Sequence, residues 1–421
     1  MTGQRLPRLI APGKCDIVTA ELRKGGSGSA MAGKSEHLKR AAAWILILFT
    51  LFFPQRALHE DPEEAQWIVT GDTDDQKRVE DRMNTMTLHE KICQLFFVAP
   101  EELSEGHRVY SADPSFLRAF DSFPVGGIIL FSVNIRKNEI ASLNAGMQSA
   151  AVESCGIGLF IGVDEEGGRV SRVANKLKLK EKQPNPAKTG TPDNAYASGK
   201  TIGEYLSEYG FNLDFAPVAD VRSNVKDAEI TVRSYGTDPE QVGRMVPRFT
   251  TGLHSQKIIA VLKHFPGHGA VSGNTHNGAG ISLRTLEELR EADFIPFIEG
   301  IAAGADMVML SHQTAKNIDP ERPASLSPAV VSILREELGF EGVIITDALR
   351  MKAVSNRFSP GEACVMALEA GADMLLLPGD FTDAYHAVVK AVEEGRIAEE
   401  RINESVKRIL LLKDKYGLLK R

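Results

Sequence analysis

Lys263-His264-Phe265-Pro266-Gly267-His268-Gly269, with Asn274-Thr275-His276 close behind, is the stretch on which the reading of this chain turns. An apolar run, Ile258 to Leu262, leads into it. Pro266 has no backbone N–H and the glycines favour irregular backbone, so the segment cannot be helix. A buried strand ending in a burst of polar and flexible residues is how barrel enzymes present chemistry at one end. One histidine here would be an ordinary loop residue. Three histidines and a lysine in one short segment point to a site.

Working outward, seven further apolar runs resemble Ile259–Leu262. They are Cys93–Val98, Gly127–Phe131, Leu159–Val163, Leu213–Ala216, Met307–Leu310, Val343–Thr346 and Met374–Leu377. Short, near-continuous runs of Val, Ile, Leu and Phe are the signature of strands covered on both faces. Amphipathic stretches separate most of them: 137–152, 195–209, 239–255, 286–303, 327–338, 360–370 and 380–394. Ahead of the first run, Asp75–Met86 and Leu88–Lys91 have helical character, with Thr87 as an N-cap. Ile397–Tyr416 is a terminal helix against the barrel wall. Strand–helix alternation at this period predicts an α/β fold with a parallel sheet, and eight units predict a (β/α)8 TIM-type barrel forming one catalytic domain. An open doubly wound sheet is the alternative, but no G-x-G-x-x-G follows the first strand.

Polar residues recur at the ends of these runs. Asp164-Glu165-Glu166-Gly167-Gly168-Arg169 follows the third and Asp220 trails the fourth. Lys263-His264 follows the fifth, Ser311-His312 the sixth and Thr346-Asp347 the seventh. Any one of them alone would be a cap or turn residue. Ionisable groups at the C-terminal ends of successive strands instead converge on one mouth, where barrel active sites are built.

The totals agree with a globular enzyme of 421 residues, 43% apolar and 25% charged. A formal net charge of −7 and the lack of a basic stripe with interleaved aromatics argue against a nucleic-acid partner. Cys15, Cys93, Cys155 and Cys364 are far apart and read as small hydrophobes, not as a disulfide framework or zinc site. No phosphate-cradling glycine loop is present and the histidines lack zinc spacing, so neither metal nor organic cofactor is expected. Near the N-terminus, Lys34, Lys39 and Arg40 precede the unbroken apolar run Ala41–Phe53, the layout of an export signal. The run is shorter than the roughly 20 residues of a membrane span, which makes an uncleaved anchor the second choice. The expected division is an unstructured N-terminus plus signal or anchor over 1–57, a linker over 58–73 and the barrel over 74–421. The product is expected outside the cytoplasm, periplasmic or extracellular.

Five ordered motifs carry a more specific likeness. They are Gly162-Val163-Asp164-Glu165-Glu166-Gly167-Gly168-Arg169-Val170, Asn212-Leu213-Asp214-Phe215-Ala216-Pro217-Val218-Ala219-Asp220-Val221, Arg233-Ser234-Tyr235-Gly236, the opening K-H-F-P-G-H-G, and Ile344-Ile345-Thr346-Asp347-Ala348-Leu349-Arg350-Met351. From about Asp75 to Leu419 the chain resembles glycoside hydrolase family 3, in its single-domain β-N-acetylglucosaminidase branch. The resemblance implies a retaining exo-enzyme that removes terminal β-linked N-acetylglucosamine from cell-wall muropeptide or chitin-type fragments. It places Asp347 as the nucleophile that forms a covalent glycosyl-enzyme, and His276 as the general acid/base. A histidine titrates near neutrality and can serve both proton transfers. Asp164, Arg172, Arg233, Lys263 and His264 match the positions that hold the sugar's hydroxyls and N-acetyl group, a role suited to charge-assisted hydrogen bonds. For Arg172 and Arg233 the alternative is an ion pair bracing the barrel rim.

The pattern departs at one position. The family's histidine follows two residues after an aspartate, where this chain has Asn274, and no acid between Ala270 and Ser282 replaces it. In a serine-protease triad the analogous Asp-to-Asn change costs about 10⁴ in kcat. Asn274 suggests as an alternative a catalytically weakened saccharide-binding protein of the same fold. Further alternatives on other grounds are a family 3 β-glucosidase, a Schiff-base aldolase using Lys263, and transfer to phosphate instead of water. Oligomeric state is not legible in the sequence.

Overall fold

Each of the eight apolar runs forms a strand, and they close the expected barrel. The structure is a computed structural model that describes residues 73–104, 106–223, 230–271 and 280–420. The strands are β1 Phe96–Val98, β2 Gly127–Ile129, β3 Phe160–Val163, β4 Leu213–Asp214, β5 Ile259–Phe265, β6 Met307–Leu310, β7 Val343–Thr346 and β8 Leu375–Leu376. They pair in parallel in the order β7-β6-β5-β4-β3-β2-β1-β8. A bridge between Ile345 and Met374, with the Thr346 amide donating to the Met374 carbonyl at 3.1 Å, links β7 to β8 and completes the ring. With helices covering the outer face and side chains filling the interior, every strand is apolar on both faces. Inside, the Phe97 and Phe215 rings meet edge-on at 5.2 Å.

The helices follow the amphipathic stretches. They are α1 Pro114–Ser122, α2 Ile140–Cys155, α3 Pro192–Glu208, α4 Pro239–His254, α5 Ile295–Ala302, α6 Pro328–Ser332, α7 Pro360–Ala370, α8 Phe381–Glu393 and α9 Glu399–Lys415. Helices Thr73–Thr85 and Leu88–Gln94 precede β1, the second capped by Thr87 in a reciprocal box with Glu90. Helix α1 has no counterpart in the sequence reading. Asp113 caps it, Pro114 opens it, and its buried face is only Phe116 and Phe120. The stretches read as single helices over 286–303 and 327–338 are each interrupted. π-type turns at Leu289–Asp293 and Ile333–Glu337 break the 3.6-residue register, and Pro296 lies at the start of α5. Cys93, Cys155 and Cys364 are buried and unpaired, as expected of small hydrophobes. No helix among the described residues is long and apolar enough to cross a membrane, and the apolar run 41–53 lies outside them.

The end of the barrel away from the strand C-termini is closed by α9. Buried Asp373, just before β8, accepts from Ser405 Oγ (2.7 Å) and Arg408 (3.0 Å) and pairs with Arg335. Buried Asp306, just before β6, accepts from Lys415 Nζ and Tyr416 Oη, both at 2.7 Å, and pairs with His254 Nε2 at 2.8 Å. Between these two clusters in sequence, fully buried Lys413 meets no carboxylate among the described residues. Its Nζ donates to Gln94 Oε1 at 2.7 Å and lies 5.0 Å from the Phe160 ring centre. Burial pulls the Lys413 amine down to about 7. An unfolded lysine holds its proton to about pH 10.4. Between those values the unfolded chain binds the extra proton, so Lys413 makes stability rise with pH. Chemical denaturation at pH 7 and pH 9 is expected to show this rise, with Lys413 contributing about 2 kcal/mol of it. Lys413→Met should lose that share, and an unchanged pH slope in the variant would rule the assignment out.

Candidate active site

The mouth is assembled from the ends of β3 to β7. Strand β5 carries the opening stretch, and its pairing with β6 slips between Lys263 and Phe265. Such a bulge opposes two residues to one. Both Lys263 and His264 are buried there. Gly269 is required by packing, because a Cβ there would overlap the Val221 carbonyl oxygen.

Lys263 is the hub. Its Nζ donates to Asp164 Oδ1 at 3.0 Å and lies 2.7 Å from Glu166 Oε1. Arg172 reaches Asp164 Oδ2 through Nε and Nη2, both at 3.3 Å. Arg233 grips Glu166 with both arms of its guanidinium, Nε to Oε2 at 2.8 Å and Nη2 to Oε1 at 2.7 Å. Burial opposes ionisation of Glu166, but Arg233 and Lys263 overcome it and hold the carboxyl at about 2. Asp164 is likewise held below the usual range, burial being outweighed by Lys263 and Arg172. Burial would also lower the Lys263 amine, yet Glu166 and Asp164 raise it above its ordinary value. A Schiff-base lysine needs an unprotonated nitrogen. This one is locked in the charged form, which removes the basis for the aldolase alternative.

His264 is fixed from behind. Its Nδ1 donates to Asp220 Oδ2 at 2.7 Å, and its backbone N–H donates to Asp220 Oδ1 at 3.1 Å. The His268 backbone amide takes the same oxygen at 2.7 Å. Against burial, His264 and His268 bring Asp220 to about 2, so it acts as a permanent anchor for the turn. The Nε2 edge of His264 is left toward Arg233, 3.4 Å from Nη2.

Asp347 follows β7 directly. Its backbone N–H donates to Leu310 O at 2.9 Å, and its Oδ1 accepts from the Ala348 amide at 2.7 Å. Burial would raise its carboxyl, but His312, His264, the Ala348 amide and Lys263 together bring it below the ordinary aspartate value. His312 is oriented by Nε2 donating to the Ala348 carbonyl and by Nδ1 pairing with Ser325 Oγ, both at 2.8 Å. Asp347 is therefore an ionised carboxylate on a strand end beside a cradle of paired charges.

Of the residues singled out in the sequence, Asp164, Arg172, Arg233, Lys263 and His264 converge with Asp347 on this mouth. His276 and Asn274 lie outside the described residues. The rim-brace alternative for Arg233 has a concrete form, since its guanidinium is already paired to Glu166. Three contributors were not assigned roles from the sequence: Glu166, Asp220 and His312. Glu165, between the two mouth acids, points elsewhere. It accepts the Val173 and Ala174 amides at 2.7 and 3.1 Å and the Tyr205 hydroxyl at 2.8 Å, and burial takes it to about 7. Among the described residues no group of three or more His, Cys, Asp or Glu is placed to hold a metal ion.

A closed parallel barrel with an ionised carboxylate and a carboxylate–cation cradle at its C-terminal mouth has the layout of a barrel-enzyme active site. Residues 87–412 match the Glycosyl hydrolase family 3 N terminal domain, and the chain belongs to that family of glycoside hydrolases. A protein named beta-hexosaminidase from Stenotrophomonas maltophilia (strain K279a) is 37% identical over 275 residues, covering 63% of this chain and 80% of that one. Beta-hexosaminidase A of Pseudoalteromonas piscicida is 31% identical over 331 residues, 72% of this chain, but the match spans only 55% of that protein's length. Among solved structures, a glycoside hydrolase family 3 beta-N-acetylglucosaminidase from Paenibacillus sp. str. FPU-7 superposes with a TM-score of 0.73 at 35% identity. That match covers 79% of this chain and 63% of that one.

Proposed function

We propose that this chain is a retaining exo-β-N-acetylglucosaminidase acting on cell-wall or chitin-type fragments. The observation that carries the reading is Asp347, a carboxylate fixed at the end of β7 by the Ala348 amide and set beside His312, His264 and Lys263, which favour its ionised form. In the first step an Asp347 oxygen bonds to the anomeric carbon as the glycosidic bond breaks, and His276 gives its proton to the departing oxygen. In the second, His276 takes a proton from water, the water oxygen bonds to the anomeric carbon, and Asp347 is released as carboxylate. Asp164, Lys263, Arg233 and His264 supply donors and acceptors for the ring hydroxyls and the N-acetyl group. The names of the relatives support the N-acetylglucosamine preference over glucose. Side-by-side rates on aryl β-N-acetylglucosaminide and aryl β-glucoside test it. The first is expected to be the faster substrate, and preference for the glucoside or no turnover of either defeats the proposal.

Asn274 bears on the rate. An amide two residues before His276 cannot stabilise an imidazolium as a carboxylate would, so the native enzyme is expected to be slow. Asn274→Asp should raise kcat by about 10-fold or more and move the alkaline limb of its pH profile upward. Identical rate and profile would show that the pairing does not operate. Export belongs to the same reading and rests on Lys34, Lys39, Arg40 and the run 41–53. Cell fractionation that finds only cytosolic enzyme would overturn it.

A further inference from the structure

Phe131 lies two residues beyond the end of β2, at the same end of the barrel as the cradle. Buried Asn134 fixes its backbone. The Phe131 amide donates to Asn134 Oδ1 at 3.0 Å, and the Asn134 amide donates back to the Phe131 carbonyl at 2.8 Å. Asn134 Nδ2 in turn donates to Glu101 Oε1 at 2.6 Å and to the Val109 carbonyl at 3.2 Å. The turn is anchored, while the phenyl ring is only half-buried against the core.

Two guanidinium groups lie over that ring. Arg172 Cζ is 5.4 Å and Arg350 Cζ 5.3 Å from its centre, within the roughly 6 Å of a cation–π contact. They come from different loops. Arg172 follows the strand pair after β3 and reaches Asp164. Arg350 is three residues past Asp347, and its amide donates to the Leu377 carbonyl at 3.0 Å. The chain ends of β2, β3 and β7 therefore meet at one phenyl ring. The two guanidinium groups repel each other, and the ring's negative faces attract both. Arg172 needs such support. Its two bonds to Asp164 are 3.3 Å long, against 3.0 Å for Lys263, and 38% of its side chain is exposed. An ion pair that exposed does little to immobilise a long side chain.

We propose that Phe131 is a positioning residue of the sugar site: its ring holds Arg172 in place on Asp164, and so fixes the carboxylate that meets the sugar hydroxyls. The proposal rests on the exo-glycosidase reading above, in which Asp164 contacts the terminal sugar. Without a fixed Arg172, Asp164 Oδ2 loses that donor while Lys263 still holds Oδ1. The effect runs through substrate binding, so KM responds and kcat does not. An exposed cation–π contact is worth about 0.5–1 kcal/mol, which is about 2- to 5-fold in affinity.

Phe131→Leu removes the π face and keeps an apolar side chain, whereas Phe131→Tyr keeps the ring. On an aryl β-N-acetylglucosaminide, Phe131→Leu is expected to raise KM about 2- to 5-fold at native kcat, and Phe131→Tyr to retain the native KM. In an Arg172→Ala background Phe131→Leu should add nothing, because the residue it acts through is gone. Phe131→Met takes the place of the leucine variant should that one fail to fold. A native KM in Phe131→Leu, a KM raised as much by tyrosine as by leucine, or a leucine effect undiminished without Arg172 each overturns the proposal. Should the native enzyme turn over no glycoside, the exo-glycosidase reading fails separately. Calorimetric binding of N-acetylglucosamine then decides the role of Phe131. Affinity weakened by Phe131→Leu and kept by Phe131→Tyr supports it, and absent or unaltered binding overturns it.

Discussion

Asp347→Asn is expected to lower kcat on an aryl β-N-acetylglucosaminide by roughly 10⁴- to 10⁶-fold, the range seen when a nucleophile is removed from an otherwise intact site. The amide has no anionic oxygen to bond to the anomeric carbon. It also withdraws the negative charge that an oxocarbenium-like transition state requires. The fold should survive. The Ala348 amide donates to its Oδ1, and an asparagine oxygen can accept that bond in the same place. Circular dichroism and a thermal melt close to the native ones would separate lost chemistry from lost structure. Mass spectrometry of the rapidly quenched native enzyme should find a glycosyl adduct on the peptide holding Asp347, with none on the variant. A variant retaining a tenth of the native rate would remove Asp347 from the chemistry and leave the cradle as a saccharide-binding site.

The barrel was legible because strands covered on both faces cannot hide. Val343–Thr346 and Met307–Leu310 read in the sequence as they stand in the fold. What the sequence obscured were places where a local rule competes with periodicity. The continuous pattern over 286–303 contains a π-type turn and a proline-started helix, because tertiary packing accepted an inserted residue that hydrophobic spacing does not reveal. Helix α1 escaped notice because two phenylalanines make too short a stripe, although Asp113-Pro114 is a serviceable start signal.

The site was legible in its positive half. Lys263, His264, Arg233 and Arg172 stood out by type and Asp164 by its place in the family motif, whereas Glu166, the partner of Arg233 and Lys263, was masked by the run Asp164-Glu165-Glu166. Strand alternation was the available signal. In extended backbone, residues i and i+2 share a face, so Asp164 and Glu166 belong together and Glu165 points away. The structure follows that rule, with Glu165 accepting from Val173, Ala174 and Tyr205 while its neighbours hold Lys263. Asp220 was visible as a strand-end acid, but its bond to His264 spans 44 residues and no local pattern encodes it.

Lys263→Met should be the most damaging change to stability at this mouth. Methionine fills similar volume, so the loss is electrostatic. It leaves Glu166 with Arg233 alone and Asp164 with the longer Arg172 contacts, and breaking a buried charge network costs about 3 kcal/mol or more. The pH dependence gives the sharper readout. Glu166 has a folded-state value of about 2, below the ordinary value of an unfolded glutamate. Its stabilisation is therefore present above about pH 4.3 and is lost as pH falls toward 2. Without Lys263 the folded-state value rises, this window narrows, and the acid-unfolding midpoint should move to higher pH. Glu166→Gln cannot titrate at all, so adding it to Lys263→Met should abolish that part of the shift. Lys263→Met that unfolds at the native pH would mean that Arg233 alone holds Glu166 ionised, and that Lys263 faces the sugar without bracing the rim.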